Sequence, residues 1–383
     1  MTARGPRGQR SGRRARRDPG RRATSPAHYR HLFNPLEPLR VLDDDQVETI
    51  HKTALSLLAE DGIRVLSDEA RNRFQAAGAT VAEDERLVRL DPDLVSASLT
   101  AAPTHFDITP REPERRVHVG GNSVVMMPVA GPPHATDLDR GKQTGTLKNF
   151  EDFVRLTQHF DVMHANVPTV EAQDVDLEIR HLETTRAMLT LSDKVPFVYA
   201  RGRYRVADCF EMQRIVLELT PEEFAAKPRC FTVINTNSPR QLDLPMCQGL
   251  IQFAENNQAS IITPFTLAGA MAPVTLAGAL TLQHLEALAG ITLAQIVRPG
   301  APVAYGAFTS NVDMRSGSPA FGTPESVKAA LASGQLARHI GLPWRSSAVS
   351  TSVVPDSQAG YETMMSMMGA VLGGANIILH AAG

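Results

Sequence analysis

The residues able to do chemistry in this chain sit in short polar runs that follow apolar ones. Asn235-Thr236-Asn237-Ser238 closes one apolar run, and Phe308-Thr309-Ser310-Asn311 with Asp313-Met314-Arg315 closes another. Ser350-Thr351-Ser352 and His380 follow two more, and Glu171, Arg201, Arg203, Tyr204, Thr263 and Thr266 occupy comparable places earlier in the chain. Singly, each has a plainer role in satisfying turn hydrogen bonds. Brought to one mouth, Asn235, Asn237, Asn311 and Asp313 would orient a small polar or cationic ligand through amides and hydroxyls, with Glu171, Asp313 and Arg315 as the main charges. The set lacks a nucleophile–base pair for hydrolysis. It also lacks a phosphate-cradling glycine loop, an HExxH and a G-x-S-x-G elbow, so nucleotide binding, a zincin site and a serine hydrolase are not indicated. Among the twelve histidines, His159 and His164 fall at a helix-to-strand junction. His181 and His284 fall inside helices and read as ordinary histidines.

These runs need a scaffold that aims them together. Apolar or β-branched runs begin near 123, 163, 195, 230, 259, 302, 345 and 375. Between them lie amphipathic stretches of helical length at 147–159, 177–192, 206–219, 243–257, 275–297, 323–340 and 357–373. Strands alternating with helices predict a parallel sheet, and eight such units predict an α/β fold of the (β/α)8 TIM-barrel type. An open doubly wound sheet is the alternative. In a barrel the polar runs would all lie at the strands' C-terminal ends, where barrel active sites are built. Residues 123–383 are therefore read as the barrel. The sequence stops after the eighth strand, which predicts an apolar flank beside the first and seventh helices. Residues 41–122 are read as an α/β extension. Its first helix opens on Asp43-Asp44-Asp45 and ends at Asp61-Gly62; the second is capped by Ser67 and stopped by Gly78. Residues 80–122 are read as short strands and turns, and residues 1–40 as tail and linker.

Composition sets the class. Hydrophobic residues make up 43% of the 383 and charged residues 21%, ordinary for a globular protein with a sizeable core. The formal charge of −2 conceals nine Arg and one Asp within residues 1–22. No aromatic interleaves these arginines, so the stretch reads as a solvated arm without a nucleic-acid partner, with binding of nucleic acid or an acidic partner by this tail as the alternative. With no apolar core to that segment it is not a secretory signal. No uninterrupted apolar run reaches the roughly 18 residues of a membrane span. Cys209, Cys230 and Cys247 are too widely spaced for a knuckle and read as reduced, buried residues of a cytoplasmic protein.

Several stretches resemble the trimethylamine:corrinoid methyltransferase family. They are residues 41–48 (VLDDDQVE), 63–70 (IRVLSDEA), Gly131-Pro132-Pro133, 281–290 (TLQHLEALAG), 297–303 (VRPGAPV), Asp313-Met314-Arg315, Gly322-Thr323-Pro324-Glu325, Gln335-Leu336-Ala337-Arg338 and 355–362 (PDSQAGYE). The resemblance covers roughly 40–383. It implies a TIM-barrel enzyme that passes a methyl group from an amine to Co(I) of a corrinoid protein. The D-x-H-x-x-G signature of corrinoid carriers is absent, so the cobalamin is expected on a separate partner protein. Relatives acting on trimethylamine carry pyrrolysine near the end of strand seven, whereas this chain has Ser350, Thr351 and Ser352 there. A tertiary amine is a poor methyl donor without such help, while a quaternary ammonium leaves as a neutral amine. The expected donor is therefore a quaternary amine such as glycine betaine. Arg315 would meet its carboxylate, Phe308 or Tyr204 its cation, and Asn235, Asn237, Asn311, Asp313 and His380 would complete the pocket. A trimethylamine enzyme and a truncated barrel serving as a binding module are the alternatives. The sequence does not decide between a monomer and a homo-oligomer.

Overall fold

The structure, a computed structural model, describes residues 30–382. The Arg-rich stretch at 1–22 lies outside the described residues. Helices begin where a side chain can satisfy the free N–H groups of a first turn. Asp43 and Gln46 form a reciprocal capping box on Asp44–Glu60, and Ser67 caps Asp68–Ala76. Thr146, Asp243, Thr275, Thr323 and Asp356 cap Leu147–His159, Leu244–Glu255, Leu276–Val297, Pro324–His339 and Ser357–Leu372. These, with Arg180–Leu191 and Arg203–Leu217, match the seven helical stretches expected from periodicity.

The main sheet runs in the order Leu32–Phe33, Ser123–Met126, Ile377–Leu379, Trp344–Ser347, Val303–Gly306, Ala259–Thr263, Phe231–Asn235. All neighbours are parallel except the first pair. Two expected strands are corrected. The runs near 163 and 195 form no extended ladder; they meet their neighbours through isolated bridges, Ala165 to Val195 and Phe197 to Phe231, and through single hydrogen bonds such as the His164 N–H donating to the Met126 carbonyl at 2.9 Å. Pro168 and Pro196 interrupt these runs, and proline has no N–H to give a ladder. The linker reading of 1–40 is corrected at its end, where Leu32–Phe33 pairs antiparallel with Ser123 and Val124. Residues 80–122 hold a helix that was not expected, Pro92–Ala101.

Side chains alternate across the sheet. Val125, Phe231, Ala259, Ile261, Ala304, Ile377 and Leu379 form one core on one face. Val124, Ile234, Ile262, Tyr305, Trp344 and Ile378 join the larger core beneath the helices. The extension shares that larger core, with Ala54, Leu58 and Val88 packing in it with Leu285 and Leu288. Its sheet takes Gln241–Leu242 as a strand parallel to Ile63–Val65. Leu276–Val297 is long and apolar enough to cross a membrane by length and composition, yet 83% of its most apolar window is buried inside the protein. Its Gln283, His284 and Glu286 are wholly enclosed and hydrogen-bonded, which marks a core helix. The outer face of Ser357–Leu372 leaves Tyr361, Met364 and Met368 exposed. Cys209, Cys230 and Cys247 are free and buried, and burial pushes the Cys209 thiol up to about 11.

Candidate active site

The strand Trp344–Ser347 carries the most unusual inward residue. Register pairs Arg345 with Ile377, which places its side chain on the face of the inner core. Arg345 is only 2% exposed. Its Nη1 donates to the Ala307 carbonyl at 3.3 Å, and its Nε is enclosed with no partner. No carboxylate among the described residues forms an ion pair with it. Burial pulls its pKa down to about 9, so it is still a cation at neutral pH. Its guanidinium carbon lies 5.4 Å from the centre of the Phe308 ring.

Phe308 is the hub of an aromatic cluster at the ends of three strands. Phe265 stacks on it at 5.0 Å, Phe321 at 4.8 Å, and the His380 ring lies 5.5 Å away. His380 follows Ile377–Leu379 with φ at +60°, a left-handed conformation that a residue with a Cβ adopts only when its surroundings hold it. Its Nδ1 is 3.2 Å from the Ser347 hydroxyl. Burial first, and the Arg345 charge second, pull its pKa down to about 3, so the ring is neutral.

The other expected residues are placed differently. Ser350, Thr351 and Ser352 wrap the Glu362 carboxylate, which accepts from the Ser350 and Thr351 hydroxyls at 2.8 Å each and from the Thr351 N–H at 2.7 Å. Burial acts to raise the Glu362 pKa, but these bonds and one from Gln358 outweigh it and hold the group at about 2. Asp313 accepts from the Arg315 N–H and the Ser316 hydroxyl. It thereby shapes a hairpin tip on which Asp313 and Arg315 are exposed. Arg315 is thus apart from the enclosed guanidinium beside Phe308, which is that of Arg345. Asn311 accepts from Thr323 at 2.9 Å, Asn235 donates to the Thr263 carbonyl at 3.0 Å, and Asn237 donates to Asp243 at 3.3 Å. Arg205 covers the Tyr204 ring. Glu286 reaches from the core helix to Thr236, Ser238 and the Arg240 N–H and fixes the loop that bears Asn235 and Asn237. Phe308 and His380 are therefore brought together, while the amides serve the loops around them. Arg345, Phe265, Phe321 and Glu362 were missed. A charged residue inside a strand of otherwise small and apolar residues was the available signal for Arg345.

Large apolar side chains stand exposed on the loops that follow these strands, on one of them beside the exposed Asp313 and Arg315. Val274 and Met314 are each 78% exposed and Val353 is 83% exposed. A Cβ placed at Gly269 would lie 3.7 Å from Met314 and 3.9 Å from Val274, so these two loops adjoin.

This arrangement, parallel strands inside a layer of helices with its polar groups at their C-terminal ends, has a counterpart among solved structures. The crystal structure of the Methanosarcina barkeri monomethylamine methyltransferase (MtmB) superposes with a TM-score of 0.51 at 11% identity, covering 89% of this chain and 76% of that one. That likeness concerns the fold. The family model for trimethylamine methyltransferase (MTTB) matches residues 9–383, and the chain belongs to that family. Among its relatives, the glycine betaine methyltransferase of Desulfitobacterium hafniense is 38% identical over 350 residues, covering 91% of this chain and 72% of the relative. The trimethylamine methyltransferase MttB of Methanosarcina barkeri is 28% identical over 368 residues, covering 91% and 72%. The proline betaine:corrinoid methyltransferase of Eubacterium limosum is 28% identical over 349 residues, covering 88% and 70%. These matches bear out the resemblance read in the sequence.

Proposed function

We propose that this chain is a (β/α)8-barrel methyltransferase that moves a methyl group from a quaternary amine, glycine betaine or a close analogue, to the corrinoid of a separate protein. The barrel reading is supported by the order of the six parallel strands. The isolated bridges at Ala165 and Phe197 and the His164-to-Met126 hydrogen bond would carry the ring back to Ser123–Met126. The observation that carries the function is the stack of Phe265, Phe308 and Phe321 at the mouth. Aromatic faces attract a quaternary ammonium through their quadrupole, and they exclude water from a reacting methyl group. His380 is uncharged there and does not repel the cation.

The nucleophile would be the Co(I) of the partner's corrinoid, which fits a site with no activated Ser, Cys or Lys. What remains for this chain is alignment and desolvation. The ammonium leaves as a neutral amine, so no proton need be delivered. Ser350, Thr351 and Ser352, bound to Glu362, would shape one wall. The exposed apolar side chains of Val274, Met314 and Val353 suit a docking partner that must cover the mouth.

The test is methyl transfer to reduced corrinoid, followed by its visible spectrum, with the full chain and a panel of methylated amines. Transfer from glycine betaine is expected. No transfer from any quaternary amine, with either free cobalamin or a corrinoid protein as acceptor, would sink the reading.

A further inference from the structure

We propose that Arg345, Ser347 and His380 form a receptor for a carboxylate on the methyl donor, so that the site selects zwitterionic quaternary amines over purely cationic ones. This rests on the reading of the mouth as a methylated-amine site and names which amines it takes.

Arg345 carries the argument. An ion enclosed without a partner costs several kcal/mol in desolvation, so buried arginines are normally paired. Arg71 shows this in the same chain: it is 6% exposed and meets Asp68 and Glu83 at 2.8 Å each. Arg345 is more deeply buried, has no carboxylate, and makes a single hydrogen bond among the described residues. Nη1 is taken by the Ala307 carbonyl, but the Nε and Nη2 edge makes no bond to the described residues, and such a planar edge is the geometry that receives a carboxylate in two parallel hydrogen bonds.

Its neighbours add donors. Ser347 lies two residues along the same strand and so faces the same side. When the Ser347 hydroxyl donates to Nδ1 of His380, the ring proton resides on Nε2, which becomes a further neutral donor. The strained backbone of His380 fixes that ring beside Phe308. The guanidinium and the aromatic face are only 5.4 Å apart, so one small ligand can meet both, anion on Arg345 and ammonium on the ring. A ligand with the ammonium alone would bring a second positive charge beside an uncompensated guanidinium, in a medium that screens it poorly.

Calorimetric titration of the full chain with glycine betaine, choline and tetramethylammonium tests this. Betaine is expected to bind at least about tenfold more tightly than either cation, a difference of about 1.4 kcal/mol. Arg345→Met should abolish that preference and leave tetramethylammonium binding unchanged or tighter. It removes an unpaired buried charge, so it should melt no lower than the wild type. Arg345→Lys, which keeps the charge without the fork, should retain part of the preference. Equal binding of choline and betaine by the wild type overturns the proposal, as does an unchanged preference in Arg345→Met. Should Arg345→Met fail to fold, the wild-type panel and Arg345→Lys still decide. Methyl transfer from choline and betaine alike would remove this proposal and leave the methyltransferase reading standing. Selective betaine binding without any transfer would do the reverse.

Discussion

Phe308 touches every part of the candidate site: two stacked phenyl rings, the Arg345 guanidinium and the His380 ring. Its truncation should weaken the hold on the ammonium. A desolvated cation–π contact is worth about 2 kcal/mol, which at about 1.4 kcal/mol per decade corresponds to a rise in KM of roughly 10- to 30-fold for Phe308→Ala. Phe308→Tyr keeps the face and should recover most of the loss. An unchanged KM in Phe308→Ala would remove the aromatic box from the mechanism. Glu362 acts one step back. Its hydrogen bonds hold its pKa at about 2, below the roughly 4.3 of a free glutamate. A depressed folded value means stability that is present above the unfolded value and lost as pH falls through the folded one. Glu362→Gln should therefore melt below the wild type at pH 7, and the gap should close toward pH 2. Melting curves at both pH values measure this, and a gap independent of pH would refute the role given to the carboxylate.

The core helix Leu276–Val297 links the extension to the mouth through an enclosed polar chain. His51 meets His284 at 2.9 Å, His284 meets the Tyr305 hydroxyl at 3.1 Å, and Gln283 donates to that hydroxyl at 2.9 Å while accepting from Thr309 at 2.5 Å. Thr309 is the neighbour of Phe308. Burial, then the charges of His51 and His339, hold His284 well below its usual pKa. Burial and His339 lower His51 as well, against Glu48, which raises it. Lys52 adds to the lowering. The unfolded chain therefore takes up protons first, and stability falls as pH drops below about 6.5. The enclosed His284 steepens that slope by at most about 1.4 kcal/mol per pH unit, the limit for one proton. His284→Leu should remove about 1 kcal/mol of the stability change between pH 7 and 5.5 in urea titrations, and an unaltered slope would count against the enclosed neutral ring. At this scale the sequence was readable where a cap and a period coincide, as at Asp43 and Ser67. It was misread where proline removes ladder donors, at Pro168 and Pro196. The helix Pro92–Ala101 was missed although Asp91 as cap and Pro92 at the first position announce it. The candidate site was legible as far as the loops: Phe308 and His380 follow strands and lie together. Arg345 was not, because which residues of a strand face inward depends on register, and register is fixed by partners distant in sequence.

At the scale of the whole molecule, the extension and the helical layer share one core, and the proposed reading makes the strand-end loops the surface that receives the corrinoid protein. Val274 and Met314 stand exposed on adjoining loops, and Val353 and Val354 on the loop after Trp344–Ser347. Large exposed aliphatic side chains gathered at one place mark interaction surfaces more often than chance exposure does. On the proposed reading, the corrinoid protein must bring its cobalt within bonding distance of a methyl group held near Phe308, which calls for close contact with these loops. Met314→Asp combined with Val353→Asp should therefore raise the KM for the corrinoid protein on the order of tenfold, since two apolar contacts of about 1 kcal/mol each are replaced by charges that must be desolvated. Neither residue is among those that line the ring stack or the Arg345 receptor, so betaine affinity by calorimetry should be unchanged. The rate with free cobalamin, which has no protein surface to dock, should be unchanged as well. A loss confined to the protein acceptor places the docking face at the mouth. Equal loss with both acceptors would mean that the rim shapes the pocket itself, and no loss with either would move the partner's surface elsewhere on the molecule.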